Sequence, residues 1–197
     1  ANPGVYEDGS GIERDILILG RLRQETGKGY YKMFNVTLME QQLRCPLTVE
    51  MIPNYVHSTY HPVQYMDFLM WVAHTFDDRP LTRISDVTTE RKDDRTIVRA
   101  KITGDAKIKV VMLWVAYTDN PQWRDVMWYH YHMWDRGDHW EGSIHGKVPD
   151  GIIVEVSDIA QGISGSVSTT PRKLTDTPVV ERDPEFGWLP RNWKPSE

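Results

Sequence analysis

His57 follows a short run rich in β-branched residues, Leu47 to Ile52, and a Pro53–Asn54 turn. Five residues later comes Pro62, which suits the first turn of a helix. A histidine on a loop between a strand and a helix is carried by rigid elements yet remains free to meet a reacting group. Its near-neutral pKa suits it to act as a general base in nucleophilic catalysis. A lone loop histidine can equally do no more than hydrogen-bond a neighbour. His61 lies four residues on, but it immediately precedes Pro62 and fits a capping role better. The chain offers no obvious nucleophile to accompany His57. The nearest approach to Gly-x-Ser-x-Gly is Gly162 to Ser166, where the spacing is wrong, and neither a P-loop nor a dinucleotide fingerprint occurs.

A second group of candidates is His130, His132, His139 and His145. On a strand, Trp128, His130, His132 and Trp134 would share one face. A His-x-His pair on one face can bind zinc, and a hairpin at Asp135–Asp138 would bring His139 or His145 alongside. A packed or solvated aromatic face is the plainer reading. The same region, through Trp128, Trp134 and Trp140, is a possible aromatic binding face for a carbohydrate or protein. No cofactor is implied. Cys45 is the sole cysteine, which excludes an internal disulfide and a cysteine-based metal site. It reads as an inert buried thiol or as an interchain disulfide. Asn35-Val36-Thr37 is a possible glycosylation site in a secreted protein.

The elements that would position these residues fall into two regimes. Ile16 to Leu19 is a continuous apolar run ending in Gly20, as expected for a strand covered on both faces in a parallel sheet. Residues 30–43 carry apolar residues at helical spacing, Thr48 to Ile52 reads as a second strand, and Pro62 to Phe76 reads as an amphipathic helix through Met66, Leu69, Met70 and Ala73. The first 79 residues thus read strand–helix–strand–helix. After the polar break at Asp77 to Pro80 the pattern becomes a series of strands: 85–92, 95–103, 107–118, 124–134, 139–148, 152–156 and 164–170. Turn signals at Asp93–Asp94, Gly104–Asp105, Asn120–Pro121, Arg136–Gly137 and Asp150–Gly151 separate them, which suggests an antiparallel sandwich over 80–174. Residues 175–197, with Pro178, Pro184, Pro190, Pro195, Trp188 and Trp193, read as an extended tail.

The 197 residues carry 40% apolar side chains, eight Trp and nine Tyr, enough for a substantial core. The net charge of −5 gives no basic footprint for nucleic acid or an anionic membrane. No apolar run is long enough to span a bilayer.

The order of these pieces, with Val111 to Ala116, Arg124–Asp125, Trp128 and Gly146 to Gly151 in the β-rich part, resembles the C-terminal part of the PhoPQ-activated pathogenicity-related protein family over roughly residues 14 to 172. The resemblance implies the C-terminal portion of an α/β-hydrolase sheet followed by an antiparallel immunoglobulin-like β-sandwich, in a secreted or periplasmic protein. It implies that His57 is the triad histidine and that the triad acid follows Ile16–Leu19. There the chain departs from the family, with Arg23 about where an Asp is expected and Glu25 the nearest carboxylate. It also implies that most of the hydrolase domain, with any nucleophilic Ser, lies outside this chain. The chain, which begins at Ala1 without a Met, is accordingly expected to be one product of a cleaved precursor, docked on an N-terminal chain that completes the sheet. A non-catalytic secreted binding protein on the same fold is the alternative, and a free-standing binding module the second alternative.

Overall fold

The structure is a computed structural model that describes residues 16–21, 47–54, 62–119, 123 and 126–178; for 16–21 and 47 it describes the backbone alone. Among the described residues the fold is mostly antiparallel β-sheet with one helix. The expected helix over 30–43, the tail beyond Pro178, and the candidates Glu25, Asn35, Cys45, His57 and His61 lie outside the described residues.

Strands β1 (Ile16–Arg21) and β2 (Leu47–Ile52) pair in parallel, from Ile16 with Leu47 to Arg21 with Ile52. Helix α1 (Pro62–Asp77) follows. Then come β3 (Arg83–Lys92), β4 (Arg95–Thr103), β5 (Lys107–Ala116), β6 (Trp128–His132), β7 (Trp134–Asp135), β8 (Trp140–His145), β9 (Gly151–Ala160), β10 (Ile163–Ser168) and β11 (Arg172–Lys173). One sheet has the order β3-β4-β8-β7. The other has the order β10-β9-β5-β6, with β11 on β9.

The two sheets share one apolar core. Val98, Ala100 and Ile144 from the first sheet meet Val111, Leu113, Val115, Ile152, Val154 and Val156 from the second. The period-two alternation of β5 and β9 requires this, since their odd and even apolar positions respectively point inward. Gly142 keeps β8 close to its facing strand: a Cβ there would lie 3.0 Å from Leu113 Cδ2 and 3.1 Å from Met133 Cγ. Met70 of α1 joins the same core, so packing continues across the expected boundary at residues 79 and 80.

Two turns explain where the strands end. Asp93, at φ 52°, makes the two-residue reversal between β3 and β4. Gln161 and Gly162, both at positive φ, make the reversal between β9 and β10, the condition for a type I′ hairpin. That second turn lets β9 run to Ala160, beyond the expected end at Val156.

The expected strand over 124–134 is instead two strands in different sheets. Met133 is the crossing point: it is buried in the core, and its N–H donates to Val111 O at 2.9 Å. The crossing breaks the side-chain alternation. Trp128 is buried at 2% exposure among Val49, Met51 and Ile153, Trp134 is 65% exposed in the opposite sheet, and Trp140 packs half-buried against the core. The three tryptophans do not form a common face, and Trp128 belongs to no accessible one.

Gly142→Ala is expected to lower unfolding free energy by about 1–3 kcal/mol through overpacking against Leu113 and Met133. Urea denaturation followed by far-UV circular dichroism checks this; an unchanged midpoint would show that the close approach is not needed.

Candidate functional site

Parallel pairing fixes where the chain leaves the small sheet. Because Arg21 pairs with Ile52, residues after β1 and after β2 depart from the same carboxyl edge. Glu25 is four residues beyond Arg21, and His57 is five beyond Ile52. The carboxyl edge of parallel strands is where α/β proteins assemble ligand and catalytic groups.

The stem of the His57 segment is held firmly. Pro53 is buried and Asn54 adopts φ 57°, a left-handed conformation that asparagine accepts more readily than most residues. The Asn54 carboxamide pairs twice with the backbone of Trp128: Nδ2 donates to Trp128 O at 2.7 Å, and Trp128 N–H donates to Oδ1 at 2.8 Å. One side chain thus ties the end of β2 to the start of β6. Beneath it, Val49 and Met51 pack on Ala116, Trp128 and Ile153, with Trp114 alongside. These alternate with the core positions of β5 and β9, so β2 covers the outer face of the second sheet. Met51 N–H donates to Ser168 Oγ at 2.7 Å and closes this side of β2 against β10.

The joint between β2, α1 and this sheet also buries two carboxyl groups and half-buries a third, Glu155. Glu50 is 1% exposed and Asp67 0%. Glu155 Oε2 accepts the Trp114 indole N–H at 2.5 Å, and Asp67 Oδ1 accepts the Ser166 N–H at 2.7 Å. Among the described residues, Glu50 Oε2 and Asp67 Oδ2 have no hydrogen-bond partner. Burial raises the Glu50 carboxyl well above its ordinary range, with Glu155 and Asp67 adding to the effect. Burial raises Glu155 in the same sense, and the bond from Trp114 opposes it. Burial pushes Asp67 up to about 7; the Ser166 N–H and Arg79 work against that rise, while Glu155 and Asp158 add to it.

The end of α1 is fixed by a buried ion pair. Arg79 Nη2 bonds Asp158 Oδ1, and also donates to Ile163 O at 3.0 Å, while Nη1 donates to Pro80 O at 2.8 Å. Thr82 Oγ1 donates to the other Asp158 oxygen at 2.5 Å. Within what reads in sequence as a polar break, Asp77 and Asp78 are exposed but Arg79 forms a buried clasp.

The histidines disperse. His130 stands on the outer face of β6, its ring 5.0 Å from Trp114. His132 is exposed beside Trp134, His139 bonds Asp138 at 2.7 Å, and His145 ends β8 in the opposite sheet. Among the described residues no group of three or more His, Cys, Asp or Glu is placed to hold a metal ion. Sequence reasoning missed the acidic joint. Its visible signal is Asp67 in the middle of an apolar helical stripe and Glu50 inside the run Val49 to Ile52.

No family model matches the chain, and no curated protein matches it. Two crystal structures of wild-type OgpA from Akkermansia muciniphila are similar in part, at 15% and 12% identity with TM-scores of 0.31 and 0.30. Each similarity covers 48% of this chain and 28% or 29% of that one. The likeness is too slight to bear on fold or function.

Carboxyl groups raised in the folded state hold protons that the unfolded chain releases above about pH 4. Stability is therefore greatest near that pH and falls as pH rises toward 7, by up to about 4 kcal/mol for Asp67 alone. The lowered carboxyls, Asp138, Glu90 and Asp150, titrate below this window. Asp67→Asn keeps the acceptor for Ser166 and should flatten the decline. Urea unfolding at pH 4.5, 5.5, 6.5 and 7.5 (about one-unit steps across the window) checks it; stability rising through that range in the wild type would contradict it.

Proposed function

We propose that this chain is the C-terminal part of a secreted α/β-hydrolase-like protein and supplies the triad histidine of a serine hydrolase. The nucleophilic Ser belongs to a partner, the N-terminal chain of the same precursor. The observation that carries the reading is the in-register parallel pair β1–β2, which sends the His57 and Glu25 segments off one carboxyl edge. In this reading His57 takes the Ser proton as the Ser attacks an ester or peptide carbonyl, then returns it to the leaving group. Glu25 orients the imidazole, a part that either Glu or Asp can take. In this reading Arg23, two residues before Glu25 in the chain, disfavours the imidazolium, and Glu25 acts against it.

Three further features support the reading. Among the described residues, β1 pairs only with β2, and a two-stranded parallel pair is small for an α/β sheet. The helix α1 turns Tyr65, Phe68 and Phe76 outward, 64%, 50% and 76% exposed, along one face. A hydrolase sheet completed by the partner would give both features a neighbour. Finally, β3-β4-β8-β7 facing β10-β9-β5-β6 follows the strand order of an immunoglobulin-like sandwich, A-B-E-D facing G-F-C-C′. Among the described residues no helix is long and apolar enough to cross a membrane.

The test is labelling with a fluorophosphonate probe of this chain assembled with its upstream chain. The partner's Ser is expected to label. His57→Ala should abolish labelling and Glu25→Gln should slow it by roughly 10²- to 10⁴-fold. An assembly that never labels, or labels equally without His57, rules the reading out; the chain would then act as a non-catalytic binding protein.

A further inference from the structure

We propose that the open side of the sandwich, at β6, β7 and β8, binds a linear, uncharged oligosaccharide. The site is separate from the carboxyl edge of β1–β2 and does not depend on hydrolase chemistry.

The first sheet is too narrow to cover β6. Its edge strand β7 has only two residues, so the inward-facing Tyr129 and Tyr131 of β6 remain 54% and 38% exposed. They stand two residues apart on one face of a strand, roughly 6.6 Å along it. Tyr117 extends the row, its ring 6.4 Å from that of Tyr129. Beyond the crossing at Met133, Trp134 stands 65% exposed and its ring centroid is 6.2 Å from that of His132. The backbone under Trp134 is fixed by pairing with Glu141. An aromatic row on the rim of a sandwich is a rigid stacking surface, whose exposure costs free energy unless a ligand covers it.

Beside Trp134 the row opens into a cleft of about 330 Å³, lined by Tyr131, His132, Trp134, Arg136, Glu141 and Ser143. That volume lies within the range of small-ligand sites. Its charges cancel, one guanidinium against one carboxylate, which disfavours an anionic or cationic ligand. Glu141 is anchored from behind by Arg99 Nε at 2.9 Å. Its other oxygen is 3.6 Å from Arg136 Nη2, which is too long for a hydrogen bond. Donor and acceptor are thus held close together with bonding capacity left over. A hydroxyl group, which both donates and accepts, satisfies the two at once.

The ligand that fits has an apolar face for Trp134 and the tyrosines, and a rim of neutral hydroxyls for Arg136, Glu141, His132 and Ser143. A pyranose ring has that form, and Tyr129 and Tyr117 beyond the cleft residue Tyr131 offer stacking for further rings in line. A proline-rich peptide also stacks on aromatic rows, but its prolines have no N–H to offer the Glu141 carboxylate. The geometry therefore favours the saccharide.

Isothermal titration of the full chain with cellohexaose, mannohexaose, maltohexaose and chitohexaose tests the proposal, with a decaproline peptide as the competing ligand class. At least one saccharide should bind. Trp134→Ala should weaken it by about tenfold or more, and so should Glu141→Gln. Tyr131→Ala should weaken hexamers more than the matching trimers. Trp134 is exposed, so its variant should keep the wild-type melting temperature and circular dichroism. If Glu141→Gln disturbs folding through Arg99, Arg136→Gln reports on the same pair from its exposed side. Binding of none of the four saccharides, saccharide binding indifferent to Trp134, or binding of decaproline alone would each overturn the proposal. None of these outcomes affects fluorophosphonate labelling, so failure here and failure of the hydrolase reading are distinguishable.

Discussion

The seat of α1 on the sandwich depends on the buried pair of Arg79 and Asp158. Both side chains are fully removed from solvent. Arg79 also donates to the carbonyls of Pro80 and Ile163, and Thr82 holds the second carboxylate oxygen. Desolvating two charges is costly, and the attraction offsets that cost only when the remaining donors and acceptors are met, as most are here. The pair therefore acts less as a source of net stability than as a device that accepts a single arrangement. Loss of one partner strands the other charge in the interior, which typically costs about 3–5 kcal/mol. That penalty holds the end of α1 against β9 and β10, while Trp128 and Ser168 hold β2.

The joint that the clasp holds in place has two unlike parts. Val49, Met51, Trp128 and Ile153 make a conventional apolar contact. Glu50, Asp67 and Glu155 share the adjoining space, with two carboxyl oxygens unpartnered. An apolar contact is indifferent to pH, whereas neighbouring buried carboxyls resist ionising together. The union of β2 and α1 with the sandwich is thus graded by proton activity while the sandwich core beneath it is not. Arg79 links the two systems, because it favours the Asp67 carboxylate as well as pairing with Asp158.

Several elements were legible in the sequence because their signals are local. Pro62 opens α1, the apolar run Ile16–Leu19 lies in a parallel pair, and Asp93, Gly104 and Asp150 mark turns between strands. The sheet-switch at Met133 was not legible. A strand that changes sheets keeps its residue types and loses only its alternation for one step, so Trp128 and Trp134 read as companions when they face different surroundings. The acidic joint was hidden for a related reason. Polar residues within apolar stripes are usually read as solvent-facing, and only the arrival of β2 on the outer face of the sheet makes Glu50 and Asp67 interior. The clasp was hidden because Asp77–Asp78–Arg79–Pro80 has the composition of an exposed turn, while its partner Asp158 lies 79 residues away. The His57 and Glu25 expectation drew on the Pro53–Asn54 turn, the helix opening at Pro62 and the family resemblance, and both residues lie outside the described ones.

The seat of β2 also limits what the sandwich can do. A two-sheet sandwich has two sheet faces, its edges and its end loops with which to meet a partner. Here β2 occupies the outer face of the β10-β9-β5-β6 sheet, and α1 with Asp67 closes the backbone of the β10 edge at Ser166. Neither is open without displacing the layer that carries the His57 segment. On the outer face of the β3-β4-β8-β7 sheet, Arg99 is taken up by Glu90 and by one oxygen of Glu141, which leaves the other Glu141 oxygen to the cleft beside Trp134. The edge where β6 meets β7 differs on each count: it is uncovered, aromatic and electrically balanced. It is the side on which the sandwich can bind a ligand while β2 stays in its seat.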